Sequence, residues 1–338
     1  MLQDFIRISQ YAGNRFDLTP ANGGNSSVKI DDYIFIKSSG YYLSDVNEKT
    51  AFTKVKLPPL CAAFQNIEKF TNKQIIDLVK SNVENGNYPS IEIGMHVLLG
   101  KLILHTHPLT VNAIVCRQDW QQILSQLFPE AVLVPYATPG VSLARAVWAS
   151  FKNSKKNNND TIILFLQNHG LVVSSDNAET IISETQRVTE KLEKELKLDL
   201  HKYKVAANIS DFISKIAHSH NVCHCCEDQE LYNLLQNNNA LWFEDYSIPE
   251  AYIYNTIALE IKNLGDEALV AAYIKKYRKA PQVIIYQNHI YLLAKNIKQA
   301  LELESPLKEQ LLICKLTGSK IRPLTTREIK SIDEELLS

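Results

Sequence analysis

The chain is predicted to be a mixed α/β protein with a larger unit followed by a smaller one, on three observations. Its 338 residues amount to roughly two domains at about 150 residues each. Helix-like and strand-like segments alternate over the first 200 residues. Polar residues with chemical potential gather before residue 204, whereas the region beyond it alternates again without a comparable constellation.

In chain order, Leu2 to Tyr11 has the apolar period of a helix. Asn22-Gly-Gly-Asn25 is a turn cluster, and Ser26–Ile30 and Tyr33–Lys37 are β-prone runs split by Asp31-Asp32, which predicts a hairpin. Asn85 to Ser90 punctuates the chain, with Ser90 as the N-cap of a helix running to about Leu99, so that Glu92 and His96 share one face. Lys101–His107 and Ala131–Val134 read as strands, and Val141–Phe151 as a helix ending in an Asn-rich loop over 153–160. Thr161–Leu166 and Leu171–Val173 flank Gln167-Asn-His-Gly170 as a hairpin with a histidine at its tip.

A long helix follows, started by the capping-box pair Asp176 and Glu179 and striped by Ile181, Ile182, Val188, Leu192, Leu196 and Leu198. Further on, Leu241–Phe243, Val283–Tyr286 and Tyr291–Leu293 are expected strands, and Ile257–Leu264 and Asp266–Lys276 expected helices.

Composition removes several classes of function. Lys and Arg number 36 against 37 Asp and Glu, a net charge of −1, so total charge provides no basis for binding nucleic acid. Asp4 and Arg7 interrupt the first apolar stretch, so neither an export signal nor a membrane anchor is expected there. The six Cys, three of them at 223, 225 and 226, lack the spacing of a disulfide framework, which predicts a reducing, cytoplasmic setting.

Three histidines sit where chemistry is possible. His105 and His107 differ by two, so on a strand both imidazoles leave one face and can converge on one ion, and His169 at a turn can supply a third ligand. Spacing alone leaves two readings open, an open three-His metal site or a polar strand face with an unrelated turn histidine. Asn22–Ser27 and Lys37-Ser-Ser-Gly40 carry the donors that hold phosphate, although each is also an ordinary turn composition. Glu92 is either a proton-transfer group or a favourable charge in the first turn of a helix. His218, His220, Cys223, His224, Cys225 and Cys226 have zinc-ligand chemistry but no established spacing, and the favoured reading is an exposed linker with incidental thiols.

Taken together and in order, Gly24-Asn25-Ser26-Ser27-Val28-Lys29, Ser39-Gly40, Ser90-Ile-Glu92 with His96, His105-Thr-His107-Pro108, Pro135-Tyr-Ala-Thr-Pro-Gly140 and Asn168-His-Gly-Leu171 resemble the class II aldolase/adducin family. Lys37-Ser-Ser-Gly40 and Pro89-Ser-Ile-Glu92 look most like the aldolase portion of the bifunctional rhamnulose-phosphate aldolase and lactaldehyde dehydrogenase proteins. The resemblance implies a three-layer α/β/α domain with a central, mainly antiparallel sheet over residues 1–204, and leaves a small α/β C-terminal domain over 205–338 without an assigned role.

It further implies a sugar-phosphate aldolase with one Zn²⁺ per chain on His105, His107 and His169. Zinc would act as a Lewis acid, and Glu92 would exchange the proton next to the carbonyl. Phosphate would be held by Asn25, Lys37, Ser39, Gly40 and Ser90, and the protein would be a homo-oligomer. Two departures stand out: Ile91 replaces a second phosphate-binding Ser, and Lys37 stands where the short aldolases commonly have Pro. An epimerase or dehydratase of the same fold, or an adducin-like binding module, is the alternative. The module is disfavoured because all three histidines are present.

Overall fold

A computed structural model describes residues 1–152, 161–218, 222–236 and 245–336. The chain divides into two compact units, Met1–Leu200 and His201–Ser338. The division suggested after residue 204 falls inside a helix that starts at His201.

The first unit contains an eight-stranded sheet. Its strands are β1 (Asn25–Ile30), β2 (Tyr33–Lys37), β3 (Phe52–Lys56), β4 (Val83–Asn85), β5 (Leu102–Thr106), β6 (Val132–Val134), β7 (Ile162–Leu166) and β8 (Gly170–Ser175). They are ordered β4-β3-β2-β1-β5-β8-β7-β6. Every neighbouring pair is antiparallel except β6 and β7. The helices are α1 (Leu2–Gly13), α2 (Pro58–Phe64), α3 (Asn72–Ser81), α4 (Ile93–Leu98), α5 (Leu109–Val115), α6 (Trp120–Leu127), α7 (Val141–Lys152) and α8 (Ala178–Leu196).

Side-chain alternation sorts these helices into two outer layers. Leu102 and Leu104 of β5 join Val28, Phe165 and Val173 in a core covered by α1, α5, α6 and α8. Ile103, Leu164 and Val172 point the other way, against α4 and α7, and Ile34, Ile36 and Val55 continue that layer against α2 and α3. Each such fully buried aliphatic or aromatic side chain contributes roughly 1.5–3 kcal/mol. The three-layer α/β/α arrangement with a mainly antiparallel sheet is therefore as expected.

Several local expectations need correction. α4 begins at Ile93 with Glu92 in the N-cap position, two residues later than expected, while Ser90 Oγ makes a cap-like bond by accepting the Glu92 backbone N–H at 3.3 Å. α8 is capped one residue later than expected, by Asn177, whose side chain accepts from the Thr180 N–H at 3.1 Å. In its stripe Ile181, Val188 and Leu192 are buried, while Leu198 lies beyond the helix and is exposed. The loop over 153–160 lies outside the described residues.

The second unit contains α9 (His201–Ala217), β9 (Val222–Cys225), α10 (Gln229–Gln236), α11 (Pro249–Ile253), β10 (Ala258–Glu260), α12 (Glu267–Tyr277), β11 (Val283–Tyr286), β12 (His289–Ala294), α13 (Ile297–Glu302), α14 (Glu304–Thr317) and α15 (Thr326–Leu336). Its sheet runs β10-β11-β12-β9. Ile257–Leu264 is not a helix. Ile257, Leu259 and Ile261 are buried in alternation, so this segment satisfies a strand period and pairs parallel with β11. The region around 223–226 is no exposed linker either: it forms β9 against β12, with Cys223, Cys225 and Cys226 all buried. His220 and Leu241–Phe243 lie outside the described residues.

Candidate metal centre

Pairing across the sheet brings distant segments to one place. β1 aligns Asn25 with His105 of β5, and β5 aligns His105 with Val172 of β8. The tight β7–β8 turn then returns His169 to the end of β5. His107 lies one residue beyond β5, where its N–H donates to the Leu18 carbonyl at 2.9 Å. The three imidazoles converge: His107 Nε2 is 3.0 Å and His169 Nε2 3.3 Å from His105 Nε2.

The proton on His105 can be placed. Its Nδ1 lies 2.9 Å from the Leu171 carbonyl, which only accepts, so Nδ1 carries the hydrogen. Burial lowers the ring's pKa to about 4, so it is neutral near pH 7 and Nε2 presents a lone pair to the centre. Burial, together with the neighbouring histidines, likewise lowers His107 to about 3. A metal ligand whose other nitrogen donates to a backbone carbonyl is the usual arrangement for orienting an imidazole.

Two glycines make room for His107. A Cβ on Gly23 would meet His107 Nδ1 at 2.8 Å, and one on Gly170 would meet the Thr106 carbonyl at 2.3 Å and His107 Cδ2 at 3.1 Å.

Glu92 completes the cluster. Its Oε1 is 3.1 Å from His169 Nε2 and its Oε2 3.4 Å from His105 Nε2, while Asn25 Nδ2 donates to Oε2 at 2.7 Å. Burial alone would raise this carboxyl, but the adjacent histidines and the Asn25 hydrogen bond outweigh it and hold the group well below the usual carboxylate range. Oε1 is buried and has no hydrogen-bond partner. Three converging imidazoles beside a buried carboxylate oxygen fit a divalent cation. Among the described residues, His105, His107 and His169 form the one group arranged to hold a metal ion, and the Cys and His residues near 223 do not join in such a group.

Of the five residues expected to bind phosphate, Asn25 and Ser90 bond to Glu92 and Lys37 lies near enough to feel its charge. The Ser90 N–H donates to the Lys37 carbonyl at 3.1 Å and the Ser39 N–H to the Tyr88 carbonyl at 2.9 Å, so the end of β2 lies along the turn that leads to Glu92. Lys37 Nζ is buried and donates to the Tyr41 carbonyl at 2.5 Å, and burial lowers its pKa to about 8. Gly40 is exposed with φ +85°, a left-handed conformation suited to glycine. Asn25 is buried, and one of its amide hydrogens is already committed to Glu92.

A neighbouring cavity of about 280 Å³ shares Ser90 and Ile91 with this corner and is lined by Ile75, Tyr88 and Gly140, but no histidine reaches it. Gly23, Ser27 and Lys29 were not singled out individually by the sequence. The alternation of polar Ser27 and Lys29 with apolar Val28 and Ile30 was the available signal that one face of β1 differs from the other.

This fold and this centre define a protein of the class II aldolase type. The chain belongs to that family: the Class II Aldolase and Adducin N-terminal domain matches residues 3–196. Among solved structures, the chain is similar to the N-terminal class II aldolase domain of a conserved protein from Thermoplasma acidophilum. That match is 25% identical with a TM-score of 0.51, and it covers 58% of this chain and 93% of that one. It is also similar to a sugar-phosphate aldolase from Thermotoga maritima, at 18% identity and a TM-score of 0.41, over 58% of this chain and 95% of that one. A curated relative, the uncharacterized oxidoreductase YuxG of Bacillus subtilis (strain 168), is 23% identical over 217 residues, which is 60% of this chain and 31% of the relative. The chain thus matches about a third of that relative's length.

Proposed function

We propose that the first unit is a zinc-dependent aldolase, a carbon–carbon lyase that converts a ketose 1-phosphate to dihydroxyacetone phosphate and an aldehyde, or runs the reverse. The observation that carries this reading is the Glu92 carboxylate, ionised, buried and within 3.1–3.4 Å of two of the three converging imidazoles. His105, His107 and His169 would hold one Zn²⁺ per chain, and zinc supplies Lewis-acid polarisation of a substrate carbonyl.

Glu92 takes or returns the proton on the carbon beside that carbonyl. The Asn25 N–H keeps Oε2 turned inward, toward the histidines. Lys37 supplies positive charge to the substrate phosphate. Ser39, Gly40 and Ser90 line its approach, and Asn25 contributes its second amide hydrogen. No Schiff-base lysine is needed.

Six free thiols support a reducing, cytoplasmic setting. No described helix is long and apolar enough to cross a membrane. A homo-oligomer is proposed from the family resemblance, with a small-molecule sugar phosphate as the partner in chemistry. The test is a panel of ketose 1-phosphates incubated with zinc-loaded protein, with dihydroxyacetone phosphate measured by a coupled reductase. Release from at least one member is expected. Zinc-replete protein that releases none, yet isomerises or dehydrates a member of the panel, would replace the lyase with an epimerase or dehydratase.

A further inference from the structure

Alternate residues of β1 leave one face of the sheet, and three in succession grip the segment that bears Glu92. Asn25 Nδ2 donates to Glu92 Oε2 at 2.7 Å, and Asn25 Oδ1 lies 2.5 Å from His96 Nε2. Ser27 Oγ lies 2.8 Å from His96 Nδ1, and Lys29 Nζ donates to the Val97 and Leu99 carbonyls at 2.9 and 2.5 Å. Asn25, Ser27 and His96 are all buried, with His96 at 0% exposure, so water does not compete for these bonds.

The chain of bonds has one self-consistent polarity. The Glu92 oxygen accepts from the NH₂ end of Asn25, which leaves the amide oxygen facing His96. That oxygen only accepts, so His96 Nε2 must carry a hydrogen. Burial keeps the ring neutral, with its pKa lowered to about 3, so Nδ1 is the acceptor and Ser27 Oγ–H the donor. Ser27 Oγ–H stabilises the tautomer that the Asn25 oxygen requires, His96 Nε2–H in turn holds the amide orientation of Asn25, and Asn25 holds Oε2. Without the Nε2–H donor, the Asn25 amide is free to turn its oxygen toward the carboxylate, which repels it.

We propose that His96 is a positioning residue, which acts through Asn25 to aim the Glu92 carboxylate at the His105–His169 side of the centre. This inference deepens the reading of Glu92 as the proton-transfer group and rests on it. It differs from a packing role, in which His96 only fills the core beneath α4 and any side chain of similar volume would serve.

The test uses the full-length, zinc-loaded protein and three variants. His96→Leu removes the donor, His96→Gln restores an amide N–H toward Asn25, and Ser27→Ala removes the hydroxyl that donates to His96 Nδ1. With zinc content equal to that of the wild type, kcat should fall about 10- to 100-fold in His96→Leu with KM nearly unchanged, recover most of that loss in His96→Gln, and fall less in Ser27→Ala. If His96→Leu does not fold, the contrast between Ser27→Ala and His96→Gln decides: the packing role predicts that both keep wild-type kcat.

An independent readout is the imidazole ¹⁵N spectrum of the wild-type protein, in which His96, identified by its loss in His96→Gln, should show the Nε2–H tautomer. An Nδ1–H tautomer, or wild-type kcat in His96→Leu, would overturn the proposal. The Nε2–H tautomer in a protein without turnover on any ketose phosphate would sink the aldolase reading and leave the Asn25–His96 relay supported.

Discussion

His105 and His107 hold their Nε2 atoms 3.0 Å apart, although one is the penultimate residue of strand β5 and the other stands one residue past its end. His105 has its hydrogen on Nδ1, bonded to the Leu171 carbonyl, so its Nε2 lone pair looks directly at a second imidazole nitrogen. His169 Nε2 lies 3.3 Å from the same nitrogen, so the three rings present their edges to one point. These three histidines form a group that could hold a metal ion.

Purified protein is accordingly expected to hold close to one zinc per chain, and His107→Ala to lose most of it, as read by elemental analysis. Equal zinc in the wild type and in a triple His105, His107 and His169 to Ala variant would reject the site. Replacing Cys223 with Ser should leave zinc unchanged. Because that thiol is buried in β9, the added hydroxyl should lower stability by about 1–3 kcal/mol in denaturant unfolding.

Glu92→Gln separates catalysis from metal binding. Zinc should stay, substrate affinity should change little, and turnover should fall about 10²- to 10⁴-fold, together with solvent exchange of the proton beside the carbonyl of dihydroxyacetone phosphate. An active, zinc-replete Glu92→Gln protein would refute the role given to Glu92 and leave the fold assignment intact.

Lys37→Met should weaken phosphorylated ligands much more than the matching free sugars in calorimetric titrations. Burial lowers the Lys37 pKa to about 8, so its positive charge is present below that pH and is lost above it. Wild-type affinity for a phosphorylated ligand should therefore decline as pH rises from about 7 to about 9, and the Lys37→Met profile should be flat over the same range. Equal losses for phosphorylated and free sugars would assign Lys37 to a different group on the ligand.

Gly23→Ala probes the room left for His107. The new methyl would sit 2.8 Å from Nδ1, so the imidazole must move away from the His105 edge. About 10- to 100-fold weaker zinc retention against a chelator is expected, with unfolding little changed. Wild-type retention would mean that the 20–23 turn yields instead of the ring.

Elements with a strong local period were legible in the sequence: α1, the β1–β2 and β7–β8 hairpins, α7, α12, and the same-face spacing of His105 and His107. The failures were short or tertiary in origin. Ile257–Leu264 carried too few residues to tell a strand from a helix, and β11 settled the matter by offering a parallel edge. Ser90 keeps a cap-like bond to the Glu92 N–H, but the helix begins only at Ile93, and the Glu92 side chain is held by Asn25, a residue 67 positions earlier. Cys223–Cys226 look polar and ligand-like in sequence, yet thiols pack as small apolar groups once β12 supplies a partner.

The sequence by itself determined the family and the residue types of the centre, because those depend on spacing within segments of a few residues. Only the tertiary structure decided that His169 meets His105 and that Glu92 is held by Asn25 and backed by His96. Those contacts join residues 64, 67 and 71 positions apart, through pairing of β1, β5 and β8. The proton positions follow from the same cause: which nitrogen of His105 or His96 carries hydrogen depends on whether a carbonyl, amide or hydroxyl stands opposite, and chain neighbours say nothing about that.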